Sequence, residues 1–238
     1  MKTSKMSLPL AMALMAALPA AAAQKTTEPN TGFEVVFPDG WNTGRLATIP
    51  GPHIAGVLTL ESGRAVCVFG AENVAQTKGL TQDKMNANLR TPIGQDFWRK
   101  NIYGSLGDVT FVSDGVRMHP SGIVVQEAEV LANGPGAASA VRLRLTSALY
   151  ATPGTTYNST CSAAPSAFET LRTTFRAIVD SFRPSDGGLS ASVNPRPGAE
   201  PGAAAVVQAA QSAAAAEIIG SGGKDLAASL FLNPEIVK

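Results

Sequence analysis

The chain has 238 residues, with 19 basic side chains against 18 acidic ones and two histidines. Only 16% of its residues are charged, below the quarter or so usual in soluble domains. Near-neutrality excludes a nucleic-acid binder built on a basic stripe, and two cysteines exclude a disulfide-dense miniprotein. The length suits one globular domain with an appendage, long enough to bury a real core.

Residues 1–23, MKTSKMSLPLAMALMAALPAAAA, have the three-part layout of a secretory signal. Lys2 and Lys5 start it, Leu8 to Leu18 form the apolar run, and Ala21, Ala22 and Ala23 supply the small residues for cleavage. The run is shorter than the ~20 residues of a spanning helix. Losing the two lysines turns the net charge from +1 to −1. No later stretch stays apolar long enough to span, so the mature protein is expected to be exported, periplasmic or secreted, with no membrane span. Export makes Cys67 and Cys161 informative. An even count in an oxidising compartment favours a bridge, the other reading being two separate buried thiols.

Phe33–Phe37 reads as a strand, and Pro38-Asp39-Gly40-Trp41 turns the chain. Ile54–Glu61 and Arg64–Gly70 flank Ser62-Gly63 as a hairpin. Thr81 caps a helix to about Leu89, and Thr91-Pro92 is expected to open another, with Ile93, Phe97 and Trp98 on one face and Gly104 as its stop. Asp108–Val112 returns to strand. The clearest sheet signal is Ile123–Ala132 and Ala138–Ala148 around Gly134-Pro135-Gly136. A turn centred there pairs Glu129 with Arg142 and Glu127 with Arg144, and places Val130 against Val141 and Ala128 against Leu143. One face then carries two opposite-charge pairs, expected to be solvated; arginine neighbours would keep the carboxylates ionised. Tyr157–Cys161 reads as the next strand. Pro165–Phe182 is a strong amphipathic helix with Phe168, Leu171, Phe175, Ile178 or Val179, and Phe182 inward. Glu169, Arg172, Arg176 and Asp180 lie on its other side, and Arg183-Pro184 closes it.

The composition changes after Pro184. Residues 185–202 are rich in Pro, Gly and Ser and read as a linker. Residues 203–238 form an Ala-rich tail, partly helical or disordered, in which Val207, Ala210, Ala214 and Ile218 fall on one helical stripe. Residues 24–184 are thus one α+β domain, an antiparallel sheet flanked by helices.

Three of these segments resemble the PsbP-like superfamily, which includes Mog-type proteins and many exported bacterial proteins. They are FEVVFPDGW at 33–41, the hairpin of 123–148, and FETLRTTFRAIVDSFRP at 168–184. The resemblance implies an α/β/α sandwich and, for bacterial members, an accessory or binding role in the envelope. It brings no catalytic residue with it.

No Gly-x-Ser-x-Gly, HExxH or acidic calcium loop is present. Gly220-Ser221-Gly222-Gly223-Lys224-Asp225 faintly resembles a phosphate loop but carries Asp225 where a Ser or Thr is needed. Cys67, Cys161, His53 and His119 each lack a second ligand at zinc-site spacing. His119, before Pro120, is expected in an exposed turn, and His53 follows Pro52; these are the general-base candidates in principle. Asn158-Ser159-Thr160 satisfies the glycan sequon. No catalytic, cofactor or metal residue is assigned. The reading is a non-enzymatic envelope accessory protein that binds a protein partner through a sheet rim, the tail or both. The alternatives are a periplasmic carrier of a small apolar ligand and, behind it, an unrecognised hydrolase.

Overall fold

The computed structural model describes residues 23–47, 49, 51–61, 63–134, 140–185 and the strand at 236–237. Apart from residues 23, 185 and 236–237, the expected signal, linker and tail lie outside the described residues. So do residues 62, 135 and 136 of the two expected hairpin turns.

The strands are β1 (Gln24–Thr27), β2 (Glu34–Phe37), β3 (Asn42–Leu46), β4 (His53–Leu60), β5 (Gly63–Asn73), β6 (Gly107–Met118), β7 (Val124–Asn133), β8 (Arg142–Thr152), β9 (Thr155–Ala163) and β10 (Ile236–Val237). The helices are α1 (Gln82–Asn88), α2 (Gln95–Asn101) and α3 (Pro165–Ser181). β1 and β2 form a separate antiparallel ribbon. The main sheet runs β10-β3-β4-β5-β9-β8-β7-β6, every pair antiparallel. The class is α+β, as the alternation of two-residue and helical periods predicts.

Side chains alternate across a strand, so each sheet face selects its own set. One face takes Ala65, Cys67 and Phe69 of β5, Tyr157, Cys161 and Ala163 of β9, and Ala148 and Tyr150 of β8. α3 covers it with Phe168, Phe175, Ile178 and Val179, and β2 lies beside α3 with Phe33, Val35 and Phe37 in the same core. Ser181 ties the two together, its hydroxyl accepting from Val36 N–H at 2.9 Å. Phe182 stacks on Phe69 and packs on Tyr150 and Tyr157. Gly56 is required there: a Cβ at that position would sit 2.2 Å from the Phe37 ring. Cys67 and Cys161 stand directly opposite on β5 and β9, and their disulfide spans 94 residues of sequence. On the other face, Trp98, Ile102 and Tyr103 from α2 and the segment after it cover Ala128, Val130 and Leu145.

Two local expectations are corrected. The β7–β8 register pairs Glu129 with Thr146 and Glu127 with Ala148, while Arg144 faces Leu131 and Arg142 faces Asn133. The Glu129–Arg142 and Glu127–Arg144 pairs are therefore not formed. The turn is not centred on Pro135-Gly136: Gly134 N–H donates to the Val141 carbonyl at 2.9 Å, which moves the centre two residues along the chain. The offset between opposing positions is even, so every side chain keeps its expected face. The second helix begins at Gln95 with Gly94 as its N-cap, not at Thr91-Pro92. Gln126 is the cause. Its side-chain amide donates to the carbonyls of Leu89 and Thr91 and its oxygen accepts from Ile93 N–H, pinning 89–93 as a connector.

Candidate functional site

The chemistry-bearing side chains gather along the flank of α3 whose ion pairs reach β6, β7 and β8. Helical spacing puts Glu169, Arg172, Arg176 and Asp180 along one flank of α3. β7 presents Glu127 and Glu129 on the same face of the sheet, β8 presents Arg144, and β6 presents Arg117. They close into two four-membered rings. In the first, Arg144 and Arg172 each bridge Glu129 and Glu169. Arg172 lies 2.6 Å from Glu129 and 3.1 Å from Glu169. In the second, Arg117 and Arg176 each bridge Glu127 and Asp180. Arg117 does so at 2.7 and 2.6 Å, and Arg176 at 3.1 and 3.2 Å. Each ring is neutral and joins two sheet residues to two helix residues. Arg144 and Arg172 also lie over the Phe168 ring, at 5.3 and 5.2 Å.

These side chains were expected to be solvated. The structure instead tucks the sheet members beneath α3, with 12% of the Glu129 side chain and 17% of the Arg144 side chain exposed. Burial pushes the Glu129 carboxyl up, but hydrogen bonds from Arg172 and Arg144 outweigh it and hold the group below the ordinary carboxylate value. The bonds that Arg172 donates to Glu129, and then to Glu169, hold it above the ordinary arginine value against desolvation, which is smaller than the Glu129 contribution. A carboxylate clamped this way is an acceptor and not a proton donor. The gap beside the rings holds about 90 Å³, well under the ~300 Å³ at which small-molecule sites begin. The rings can fasten a helix to a sheet; they are not arranged as an acid–base pair.

His119 is not in an exposed turn: it is 1% exposed, as is His53. His119 Nε2–H donates to the Val179 carbonyl at 3.1 Å, and its Nδ1 accepts from Ser121 N–H, also at 3.1 Å. His53 uses the opposite tautomer. Its Nε2 accepts from Leu46 N–H at 2.9 Å, and Nδ1–H donates to the Gly51 carbonyl at 2.9 Å. Leu46 ends β3 and His53 opens β4, so the imidazole accepts a backbone N–H just beyond the last pair of that ladder, Gly44 with Ala55. Desolvation lowers both imidazoles below their ordinary value and outweighs the hydrogen bonds that would raise them. Both histidines are neutral cross-links with both nitrogens engaged.

Two other features stand at opposite ends of the sheet. Beside His53 a cleft of about 470 Å³ is lined by Leu46, Ile49, Ile54, Thr26, Pro29 and Arg45 among others. At the far end β6 is an edge strand. Its ladder is irregular between Gly107 and Ser113 and regular from Ser113 to Met118. Val112, in the irregular part, is 47% exposed, and Met118 at the strand end is 56% exposed. Asn158, of the glycan sequon, lies on central strand β9, facing Gly70, and its Oδ1 is buried.

No protein-family model and no curated protein matches the chain. Solved structures do. A PsbP is among them. That cyanobacterial PsbP, from Synechocystis sp. PCC 6803, is 14% identical, with a TM-score of 0.46 over 71% of this chain and 96% of its own. LpqN of Mycobacterium tuberculosis, involved in cell envelope biogenesis, is 10% identical, with a TM-score of 0.44 over 68% and 89%. PA94 of Pseudomonas aeruginosa, of unknown function, is 11% identical, with a TM-score of 0.40 over 74% and 99%. The likeness is one of fold outline and says nothing of what any of these proteins does in common with this chain.

The helix half of each ring was visible in the sequence as the polar flank of α3. Its closure was not, because Arg117, Glu127 and Asp180 are joined only by tertiary folding. An arginine preceding a buried histidine, as in Arg117-Met118-His119, carries no helical or strand signal of its own.

Proposed function

We propose that the mature protein is a non-enzymatic accessory protein of the cell envelope, and that it binds a protein partner through the β6 rim. The observation that carries this is the edge itself. Ser113–Met118 is a regular strand segment with no strand on its outer side among the described residues. An open edge offers a row of unpaired backbone groups to an extended segment of another chain. Val112 and Met118 bracket it with exposed apolar side chains. The titratable groups support a binding role over a catalytic one, since the histidines and ring carboxylates are already bonded within the fold. Affinity capture from the native envelope tests the reading. A protein retained by the wild type should be lost by Val112→Lys/Met118→Lys with an unchanged circular dichroism spectrum; equal capture by both counts against the rim.

The 470 Å³ cleft beside His53 favours a second reading, a carrier of a small apolar ligand, because its volume falls in the range of ligand pockets. Native mass spectrometry after gentle purification separates the two. A carrier retains added mass, and a clean apo mass counts against it.

A further inference from the structure

Hairpin hydrogen bonds fix which way the β6 backbone faces. His119 N–H donates to the Ile123 carbonyl at 2.8 Å, and Gly122 N–H donates to the His119 carbonyl at 2.9 Å. His119 therefore turns both of its backbone groups toward β7. Along an antiparallel strand, residues that face the partner alternate with residues that face away. The β6–β7 ladder is regular from Met118 back to Ser113. Arg117, Gly115 and Ser113 thus face β7, and Met118, Val116 and Asp114 turn their N–H and C=O groups outward. That outer side is in contact with solvent: Val112, Ser113, Asp114 and Met118 are all exposed.

Two features bound this segment. The ladder irregularity between Phe111 and Ser113 starts it, and the His119–Gly122 turn ends it. Between them Ser113–Met118 contains neither Pro nor Lys, the residues with which natural edges repel another strand. Its one cation, Arg117, is turned back onto Glu127 and Asp180 in a neutral ring on the α3 side. The outward residues carry their side chains on the opposite face, where Asp114, Val116 and Met118 oppose Ala128, Gln126 and Val124.

We propose that the occupant of the β6 rim is a second copy of this chain, paired antiparallel through Ser113–Met118 about a two-fold axis at Val116. This rests on the rim reading above and names its partner. A two-fold axis normal to the sheet keeps like faces together, so every residue opposes one of its own parity. With Val116 on the axis, all three outward residues meet outward residues. Val116 opposes the partner's Val116, and Asp114 opposes the partner's Met118 at each end, for about six backbone hydrogen bonds. An axis at Gly115 would draw Val112 of the irregular segment into the ladder and leave about four. In the Val116 register no like charges stand directly opposite, and the two copies of Asp114 lie at opposite ends of the paired segment. The Arg117 stem faces the partner's Gly115, where even a Cβ would meet nothing within 4 Å. The Met118 carbonyl accepts from Arg117 Nη1 at 3.4 Å and keeps a second lone pair for the partner's Asp114 N–H. The main sheet then runs on through the axis from one copy to the other.

A single strand pair lies at the small end of protein interfaces, so the dimer should be concentration-dependent. Sedimentation velocity of the full mature chain from about 1 to 300 µM reads it. Val116→Lys and Val116→Glu each set like charges face to face on the axis. Each should weaken dimerisation about tenfold or more. An equimolar mixture of the two should regain the dimer as a Lys–Glu heterodimer, which also shows that both variants fold. A wild type that stays monomeric throughout overturns the proposal; loss of affinity capture by Val112→Lys/Met118→Lys would then still assign the rim to a different protein. A dimer that both single variants keep lies on another surface and overturns it as well. Loss in both variants without regain in the mixture takes Val116 off the axis and contradicts the pairing.

Discussion

Replacing Arg144 by methionine keeps most of the stem that lies over Phe168 and removes the guanidinium from Glu129 and Glu169. Breaking a fully buried ion pair by deleting one partner costs about 3–5 kcal/mol, whereas exposed pairs contribute about 0–1 kcal/mol. Glu129 and Arg144 are 12% and 17% exposed, and Arg172 stays on Glu129 after the change. We therefore expect Arg144→Met to destabilise by about 2 kcal/mol. Arg172→Met acts on the same carboxylate from a side chain that is 43% exposed, and should cost only about 0.5–1 kcal/mol. In Arg144→Met/Glu129→Gln the under-compensated charge is gone, so the double variant should cost at least about 1 kcal/mol less than the sum of the singles. Urea unfolding at pH 7 and low salt, with unchanged m-values, measures these three variants and the single Glu129→Gln. If Arg144→Met lies within about 0.5 kcal/mol of wild type, or the two changes add, the first ring is not a closed clamp.

Both histidines titrate below the ordinary value of 6.5, so below that pH the unfolded chain binds more protons than the folded one. Stability should thus be full above pH 6.5 and fall as the pH drops through the folded-state values; a urea midpoint that rises from pH 7 to pH 5.5 would contradict this. Removing the disulfide as Cys67→Ala/Cys161→Ala should cost about 2–5 kcal/mol, read by thermal melting against the oxidised wild type. Gly56→Ala should cost about 1–3 kcal/mol through overpacking against Phe37, and Phe37→Leu in the same chain should recover part of it.

The fold was legible where one face or one local pattern decided it. The Phe168, Phe175 and Phe182 stripe specified α3 because helix period and burial coincide. The β7–β8 faces were right because a period of two survives any even shift. The register was not legible, because charge complementarity across β7 and β8 can be met diagonally. Arg144 reaches Glu129 from two positions along the ladder, and the turn that decides the matter has Gly134 and Val141 at its ends. The start of α2 was misread because a capping pattern at Thr91-Pro92 is overridden by Gln126, thirty-odd residues away, holding three backbone groups at once. His119 looked like a turn residue from Pro120. Its burial follows from packing on Tyr150 and Phe182, which no local pattern encodes.

The partner-binding claim is tested most directly by site-specific photo-crosslinking in the native envelope. A photo-reactive residue replaces Val112, which is 47% exposed on β6, or, as control, Lys84 on the exposed side of α1. One discrete protein adduct is expected from position 112 and none from position 84. No adduct at 112, or the same adducts from both positions, would contradict it.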